Sequence, residues 1–197
     1  FSVMYRDFNA NYMKSLVNTY EEGGWLPEWA SPGYRNVMIG SNSASIIANT
    51  YMSGIRGYDI ETLYEAMIKN TKGHGPVEAV GRLGAEYYNE LGYVPYDVGI
   101  NENAARTLEY AYNDYCIWRV AKELDKPDSE VEKFARRSQN YRELFSEEYD
   151  LMRGRNEDGS FQEPFNPFKW GDAFTEGNSW HYTWSVFHDP RGLMHLM

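Results

Sequence analysis

Residues 102–124, with the sequence ENAARTLEYAYNDYCIWRVAKEL, form the longest stretch of helical pattern in the chain. Its apolar side chains recur every three or four residues and define one face of a helix: Ala104, Leu108, Ala111, Tyr115 and Trp118. A helix of about six turns needs other elements to cover that face. The stretch therefore predicts a scaffold assembled from helices.

Shorter helices are predicted on both sides of this stretch, separated by loops rich in Trp, Pro and Gly. They cover residues 7–20, 43–54, 60–70, 78–91 and 127–145, and a last one begins near residue 190. Asp59 and either Asp128 or Ser129 are placed to cap two of them. Asp158–Gly159 between extended flanks predicts a hairpin turn. Because the recurring unit is helix, loop, helix, the sequence favours an all-α array of helical hairpins over a sheet.

Composition limits the class of function. The 197 residues fit one domain, and a net charge of -10 makes nucleic acid a poor candidate partner. No apolar run approaches the length of a membrane span, and the single Cys116 has no partner for an internal disulfide. Aromatic residues make up 16%, and we expect most of them in the core and some against sugar rings. The chain begins at Phe1 and ends within an apolar helical pattern, so we expect it to be a piece of a longer polypeptide.

Carboxylates are the best candidates for chemistry. The chain has no G-x-S-x-G elbow, no phosphate-binding GxxxxGK[ST] loop, no HExxH and no cysteine pair for zinc. Glycoside hydrolysis instead uses an acid that stays protonated and a second carboxylate. Glu176 lies beside Gly177 and close in sequence to Trp180 and Trp184, so an apolar wall could keep its carboxyl protonated. The alternative is a first-turn glutamate favoured by a helix dipole.

Five segments resemble glycoside hydrolase family 92 in the same order as in that family. They are GWLPEW at 24–29, RTLEYAYNDYCI at 106–117, RSQN at 137–140, TEGNSW at 175–180, and the pairs His188-Asp189 and Gly192-Leu193. Because the matches span nearly the whole chain, they are far more specific than any single motif. Two departures are His181, where the family usually has Gln, and Phe187, where it usually has Pro.

The resemblance implies a fold and an activity. Residues 1–197 would be the middle part of one catalytic domain, a toroid of helical hairpins of the (α/α)6 type that this chain covers only in part. The activity would be calcium-dependent exo-hydrolysis of α-mannosides with inversion. The bonds cleaved would be α-1,2 linkages in mannose-containing glycans, and Glu176 would be the catalytic acid. The same resemblance implies a secreted or periplasmic protein. The family's general base and calcium ligands belong to downstream segments, so the rest of the polypeptide is needed, and the alternative is a non-catalytic carbohydrate-binding or structural fragment.

Further residues are candidates for substrate binding, each with a structural alternative. They are Trp25, Glu28, Trp29, Asp97, Asn178, Trp180, His181, His188 and Asp189. The two Trp of the 23–33 loop equally fit a loop anchored by buried indoles, and Asp97 fits a turn or helix cap. His188 and Asp189 equally fit a structural hydrogen-bonded pair. No metal ligand is predicted within the chain.

Overall fold

The computed structural model describes residues 2–29 and 32–197, and its architecture is helical. The elements in chain order are α1 (Arg6–Gly23), α2 (Ser43–Met52), α3 (Ile60–Asn70), α4 (Ala85–Leu91), α5 (Asn103–Glu123), α6 (Asp128–Arg137), a 3-10 helix (Asn140–Leu144), β1 (Phe145–Ser146), β2 (Leu151–Met152), α7 (Ser179–Tyr182) and α8 (Pro190–Leu196). The predicted helix-rich character is therefore confirmed. None of the helices in the described ranges is long and apolar enough to cross a membrane.

Helix α5 is the central element, as its sequence pattern predicts. Its C-terminal half, with Cys116, Ile117 and Val120, packs into a buried cluster with side chains of α1, α2 and α3. Its N-terminal half, with Ala104 and Leu108, packs into a second cluster with the hairpin formed by β1 and β2 and with the residues around α7 and α8. Burying each large aliphatic side chain stabilises the fold by about 1.5–3 kcal/mol. Because α5 is buried on nearly all sides, it fixes the relative positions of both halves of the chain.

The helix predicted over residues 78–91 is wrong in its first half. The structure has a helix only from Ala85 onward, because Gly81 and Gly84 both adopt left-handed backbone angles, each with φ of 77°. A Cβ at position 81 would lie 2.3 Å from the carbonyl oxygen of Gly73, so this close approach requires glycine. Arg82 N–H donates to the same carbonyl at 2.8 Å, which closes the turn.

The helix predicted over residues 127–145 is shorter than expected. It ends at Arg137 and is followed by the 3-10 helix and by β1, which pairs antiparallel with β2. Pro127 occupies the cap position without a side-chain hydrogen bond, so neither Asp128 nor Ser129 is the cap. The turn at Asp158-Gly159 is confirmed, since Gly159 N–H donates to the carbonyl of Asn156 at 3.0 Å. Asp59 caps α3 as predicted, accepting from Thr62 N–H at 3.1 Å.

A buried ionic cluster, which the sequence analysis missed, joins α5 to its neighbours. Asp114 is fully buried; its Oδ1 lies 2.7 Å from Nη2 of Arg82, and its Oδ2 lies 2.7 Å from Nε of Arg137. The hydroxyl of Tyr88 in α4 also donates to Asp114, at 3.2 Å. The Arg82 guanidinium is itself fully buried and lies 5.0 Å from the ring centre of Tyr110. One carboxylate thus connects the 73–84 turn, α4, α5 and the C-terminal end of α6.

Candidate active site

Glu176 lies in a short closed loop between β2 and α7. Gly171 N–H donates to the carbonyl of Gly177 at 2.8 Å, which closes the loop directly after Glu176. The backbone of Glu176 is left-handed, with φ of 47°, and its side chain is exposed. Asn178 then caps α7 by accepting from the N–H of His181 at 3.3 Å. The glutamate is therefore not in the first turn of a helix but precedes the cap, on a segment whose two ends are tied together.

The exposed side chain of Glu176 borders a cleft of about 570 Å³, which we call the Glu176 cleft. Its lining residues come from four segments: Asn36, Val37, Met38, Glu78, Ala79, Leu83, Gly99, Ile100, Asn101, Glu102, Arg106, Thr175 and Glu176. Asn36 Oδ1 accepts from Ala79 N–H at 2.9 Å and so joins two of these segments. Amide, carboxylate, hydroxyl and guanidinium groups share the wall with aliphatic groups, which is a lining suited to the hydroxyls and C–H faces of a sugar.

Backbone strain converges on the Glu176 cleft. Six non-glycine residues in the described ranges have left-handed backbones, and three of them line this cleft: Met38 with φ of 69°, Glu102 with φ of 60° and Glu176 with φ of 47°. Each such residue costs on the order of 1–3 kcal/mol and persists only where its surroundings hold it. Strained residues of this kind cluster at active sites and ligand clamps. The backbone geometry therefore marks the same cleft that the Glu176 prediction indicates.

Arg106 contributes a fixed positive charge to the cleft wall. The residue is only 7% exposed, and its Nε donates to the carbonyl of Asn101 at 3.0 Å. Its Nη2 lies 3.3 Å from Oε2 of Glu102, one helical turn earlier. The guanidinium is thus held at the first turn of α5, where its remaining donors can orient a polar ligand in the cleft.

The indole rings expected around Glu176 lie elsewhere on the surface. Trp180 and Trp184 are 46% and 57% exposed, and neither lines the Glu176 cleft. Trp180 stacks on Phe168 with ring centres 6.3 Å apart. Tyr182 contacts the segment that carries Glu176, because its hydroxyl donates to the carbonyl of Thr175 at 2.8 Å. The surroundings of Glu176 are therefore more polar than the sequence suggested.

His181 and Asn178 form a capping pair at the start of α7. His181 Nδ1 lies 2.7 Å from Asn178 Oδ1, so only Nε2 of the imidazole is left to contact other groups. The ring meets Trp170 edge to face at 5.7 Å. Their direct contact with sugar, like that of Trp180, stays a prediction.

The loop at residues 23–29 is held by internal contacts. Trp25 packs against the glycines of the 73–81 turn, and its carbonyl accepts from the Tyr34 hydroxyl at 2.9 Å. Glu28 Oε2 accepts from the N–H of Asn42 at 2.6 Å, whereas its buried Oε1 has no hydrogen-bond partner. Burial raises the pKa of Glu28 well above its usual range, and the nearby charge of Glu109 adds to this. Trp29 is half exposed.

The remaining candidate residues support turns and helix ends. Asp97 accepts from the N–H of Glu157 at 2.8 Å, which joins the loop before α5 to the turn at residues 156–160. Asp189 caps α8 by accepting from Gly192 N–H at 2.9 Å. His188 Nε2 lies 2.7 Å from the carbonyl of Ser138, and burial lowers the pKa of its imidazole. These residues do not line the Glu176 cleft. Their contact with substrate remains a prediction.

The cleft also contains residues that sequence analysis missed. Asn36, Glu78, Asn101 and Glu102 are polar residues of the wall that no motif singled out, although Asn101 and Glu102 stand directly before the longest helix. Across residues 2–29 and 32–197 no group of three or more His, Cys, Asp or Glu is arranged to hold a metal ion.

The helical scaffold and the carboxylate on a polar cleft are compatible with a helical glycoside hydrolase. The catalytic-domain model of glycosyl hydrolase family 92 matches residues 1–197, so the chain belongs to that family. A secreted glycosidase of Arthroderma benhamiae, itself uncharacterised, is 34% identical over 169 residues, which are 79% of this chain and 22% of that protein.

Solved structures agree with this assignment. The family GH92 inverting mannosidase from Bacteroides thetaiotaomicron superposes with a TM-score of 0.96 and 44% identity, over 100% of this chain and 27% of that one. A second family GH92 α-mannosidase from the same bacterium superposes with a TM-score of 0.88 and 32% identity, over 98% of this chain and 25% of that one. The chain thus spans about a quarter of the length of these relatives.

Proposed function

We propose that the protein releases α-linked mannose, with a preference for α-1,2 linkages, from the ends of glycans by single-displacement inversion, and that Glu176 is the general acid. The observation that carries this proposal is the position of Glu176, which lies with a strained backbone on the wall of a polar cleft of about 570 Å³. Support for inversion is the 44% identity to a solved inverting mannosidase.

In this mechanism the Glu176 carboxyl protonates the oxygen of the departing sugar as the glycosidic bond breaks. A second carboxylate, about 6.5–9.5 Å away, activates a water molecule on the opposite face of the ring. Because the chain spans 27% of the most similar solved mannosidase described above, we propose that residues outside the chain supply this base. Arg106, Asn36 and Asn101 of the cleft are suited to bind sugar hydroxyls.

The proposal extends to the domain, the cofactor and the compartment. Residues 1–197 would form part of one (α/α)6 catalytic domain, and the helix-rich fold described above is compatible with this. A calcium ion would be bound by residues outside the chain and would supply contacts to mannose hydroxyls. Export to the periplasm or the medium is supported by the description of the fungal relative as secreted.

The test uses the natural polypeptide that contains this chain, assayed with α-1,2-mannobiose and 4-nitrophenyl α-mannoside. Glu176→Gln should lower kcat on the disaccharide by roughly 10²–10⁴-fold, the usual contribution of a general acid. Glu78→Gln is the matched control, because it removes another exposed carboxylate of the same cleft. Proton NMR of the first-formed sugar should show β-mannose, and EDTA should abolish activity until calcium is restored.

Each outcome separates the proposal from its alternative. Full activity of Glu176→Gln on the disaccharide would show that the acid is another residue, and α-mannose as the first product would exclude inversion. The alternative is a carbohydrate-binding segment without turnover, favoured by the absence of an assigned base in this chain. It predicts mannose binding in calorimetry with no hydrolysis by the natural polypeptide.

A further inference from the structure

The loop that carries Glu176 is fastened to the start of α5 through Asp172. The carbonyl of Asp172 accepts from Glu102 N–H at 2.9 Å, next to the Gly171–Gly177 hydrogen bond that closes the loop. Asp172 and Glu102 are both left-handed, with φ of 64° and 60°. One backbone hydrogen bond therefore joins two strained residues, and one of them lines the Glu176 cleft.

The carboxylate of Asp172 accepts hydrogen bonds from three other side chains. The hydroxyl of Tyr96 lies 3.2 and 3.1 Å from its two oxygens, Nε2 of Gln162 lies 3.1 Å away and Nζ of Lys169 lies 2.9 Å away. The Lys169 pair is exposed and screened by solvent, so it contributes little. The part-buried bonds from Tyr96 and Gln162 carry more of the constraint, because water competes with them less.

These contacts make Asp172 the junction of the segments that border the acid. Tyr96 belongs to the loop before α5, whose later residues line the cleft, and Gln162 directly follows the turn closed by the Arg155–Phe161 bridge. Tyr96 N–H donates to the carbonyl of Arg155 at 2.7 Å, which also joins that loop to the turn at residues 155–161. Without the carboxylate, the left-handed turn at residue 172 would keep its backbone hydrogen bond to Glu102 but would lose its side-chain hydrogen bonds to Tyr96 and Gln162.

We propose that Asp172 is a positioning residue for the general acid: it fixes the loop that sets the distance between the Glu176 carboxyl and the leaving oxygen. This inference rests on the proposed function of Glu176. Geometry matters here because a displacement of about 1 Å at a reacting group costs on the order of 10²-fold in rate. Loss of the Asp172 contacts should therefore impair proton donation before it impairs binding.

The test compares substrates whose leaving groups differ in their need for a proton. In the natural polypeptide, Asp172→Ala should lower kcat on α-1,2-mannobiose by roughly 10–100-fold with little change in KM. On 2,4-dinitrophenyl α-mannoside, whose aryl oxide departs without protonation, the fall should stay within about threefold. Asp172→Asn keeps an acceptor for Tyr96 and should show the same pattern to a smaller degree. Asp158→Ala, an exposed aspartate of the hairpin turn, is the control expected to change neither rate.

The outcomes distinguish this inference from a structural role and from failure of the proposed function. An equal loss on both substrates, or no loss on either, overturns the inference. If Asp172→Ala does not fold, Asp172→Asn decides by the same two rates. Glu176→Gln is measured in parallel: if it lacks the leaving-group dependence, the proposed function fails, and if it alone shows it, only the role of Asp172 is wrong.

Discussion

Replacing Asp114 by Ala should unfold the protein at much lower denaturant concentration than any nearby surface substitution. Asp114 and Arg82 are both completely buried, and a carboxylate oxygen lies 2.7 Å from a guanidinium nitrogen. Removing one partner of a buried ion pair costs about 3–5 kcal/mol, because the remaining charge stays uncompensated in a medium of low polarity. Among the described residues Asp114 is the carboxylate paired with Arg82, whose guanidinium otherwise faces the rings of Tyr88 and Tyr110.

The neighbouring Arg137, which also binds Asp114, provides a comparison variant for the cost of losing one ion pair. Its side chain is 12% exposed, so it can reach water when its partner is lost, and Arg137→Ala leaves Asp114 paired with Arg82. We therefore expect Arg137→Ala to cost about 1–3 kcal/mol, the usual value for a lost charged hydrogen bond. The double variant Asp114→Ala/Arg137→Ala should cost less than the sum of the two, with a coupling of about 0.5–3 kcal/mol.

The assay is urea-induced unfolding of the natural polypeptide, followed by tryptophan fluorescence and by circular dichroism. A shift of the midpoint at constant slope reports a change in stability alone. Asp158→Ala is the control, since the hydrogen bonds that this exposed aspartate makes with other described residues lie within its own turn. If Asp114→Ala costs less than about 1 kcal/mol, buried Arg82 has another source of compensation and the reasoning from burial is refuted.

Three further predictions concern pH and backbone geometry. Burial raises the pKa of Glu28 in the folded state, so the free energy of unfolding should fall as pH rises above about 4.3. Glu28→Gln should reduce this fall when unfolding in urea is measured at several pH values. An unchanged dependence of the unfolding free energy on pH would contradict the prediction. Burial lowers the pKa of His188, so stability should also fall as pH drops below about 6.5, and His188→Gln, which keeps a donor for the Ser138 carbonyl, should remove this acid-side loss. Gly81→Ala, whose Cβ would lie 2.3 Å from a backbone oxygen, should cost more than about 2 kcal/mol. Gly99→Ala has nearly the same left-handed backbone, with φ of 76° against 77°, but open space around it, so the difference between their melting temperatures isolates the clash.

Local signals were enough for several elements. Helix α3 has the predicted bounds because Asp59 and the apolar face of residues 60–70 lie within a few residues of each other. The pattern of residues 102–124 likewise predicts α5 to within one residue at each end. The 78–91 segment failed because the contact that bends it, with the carbonyl of Gly73, lies outside the helical pattern itself.

The helix-rich class and the T-E-G-N segment, on which the proposal for Glu176 rests, could be recognised in the linear order of residues, because motifs and helical periods are local properties. The wall of the Glu176 cleft and the Asp114 cluster were decided by tertiary structure. Asn36 and Asn101 come together only when the chain folds around α5, and Arg82 acquires Asp114, 32 positions later, in the same way. Such contacts depend on which buried faces meet, and the same side chains would be ordinary surface polar groups if those faces met differently.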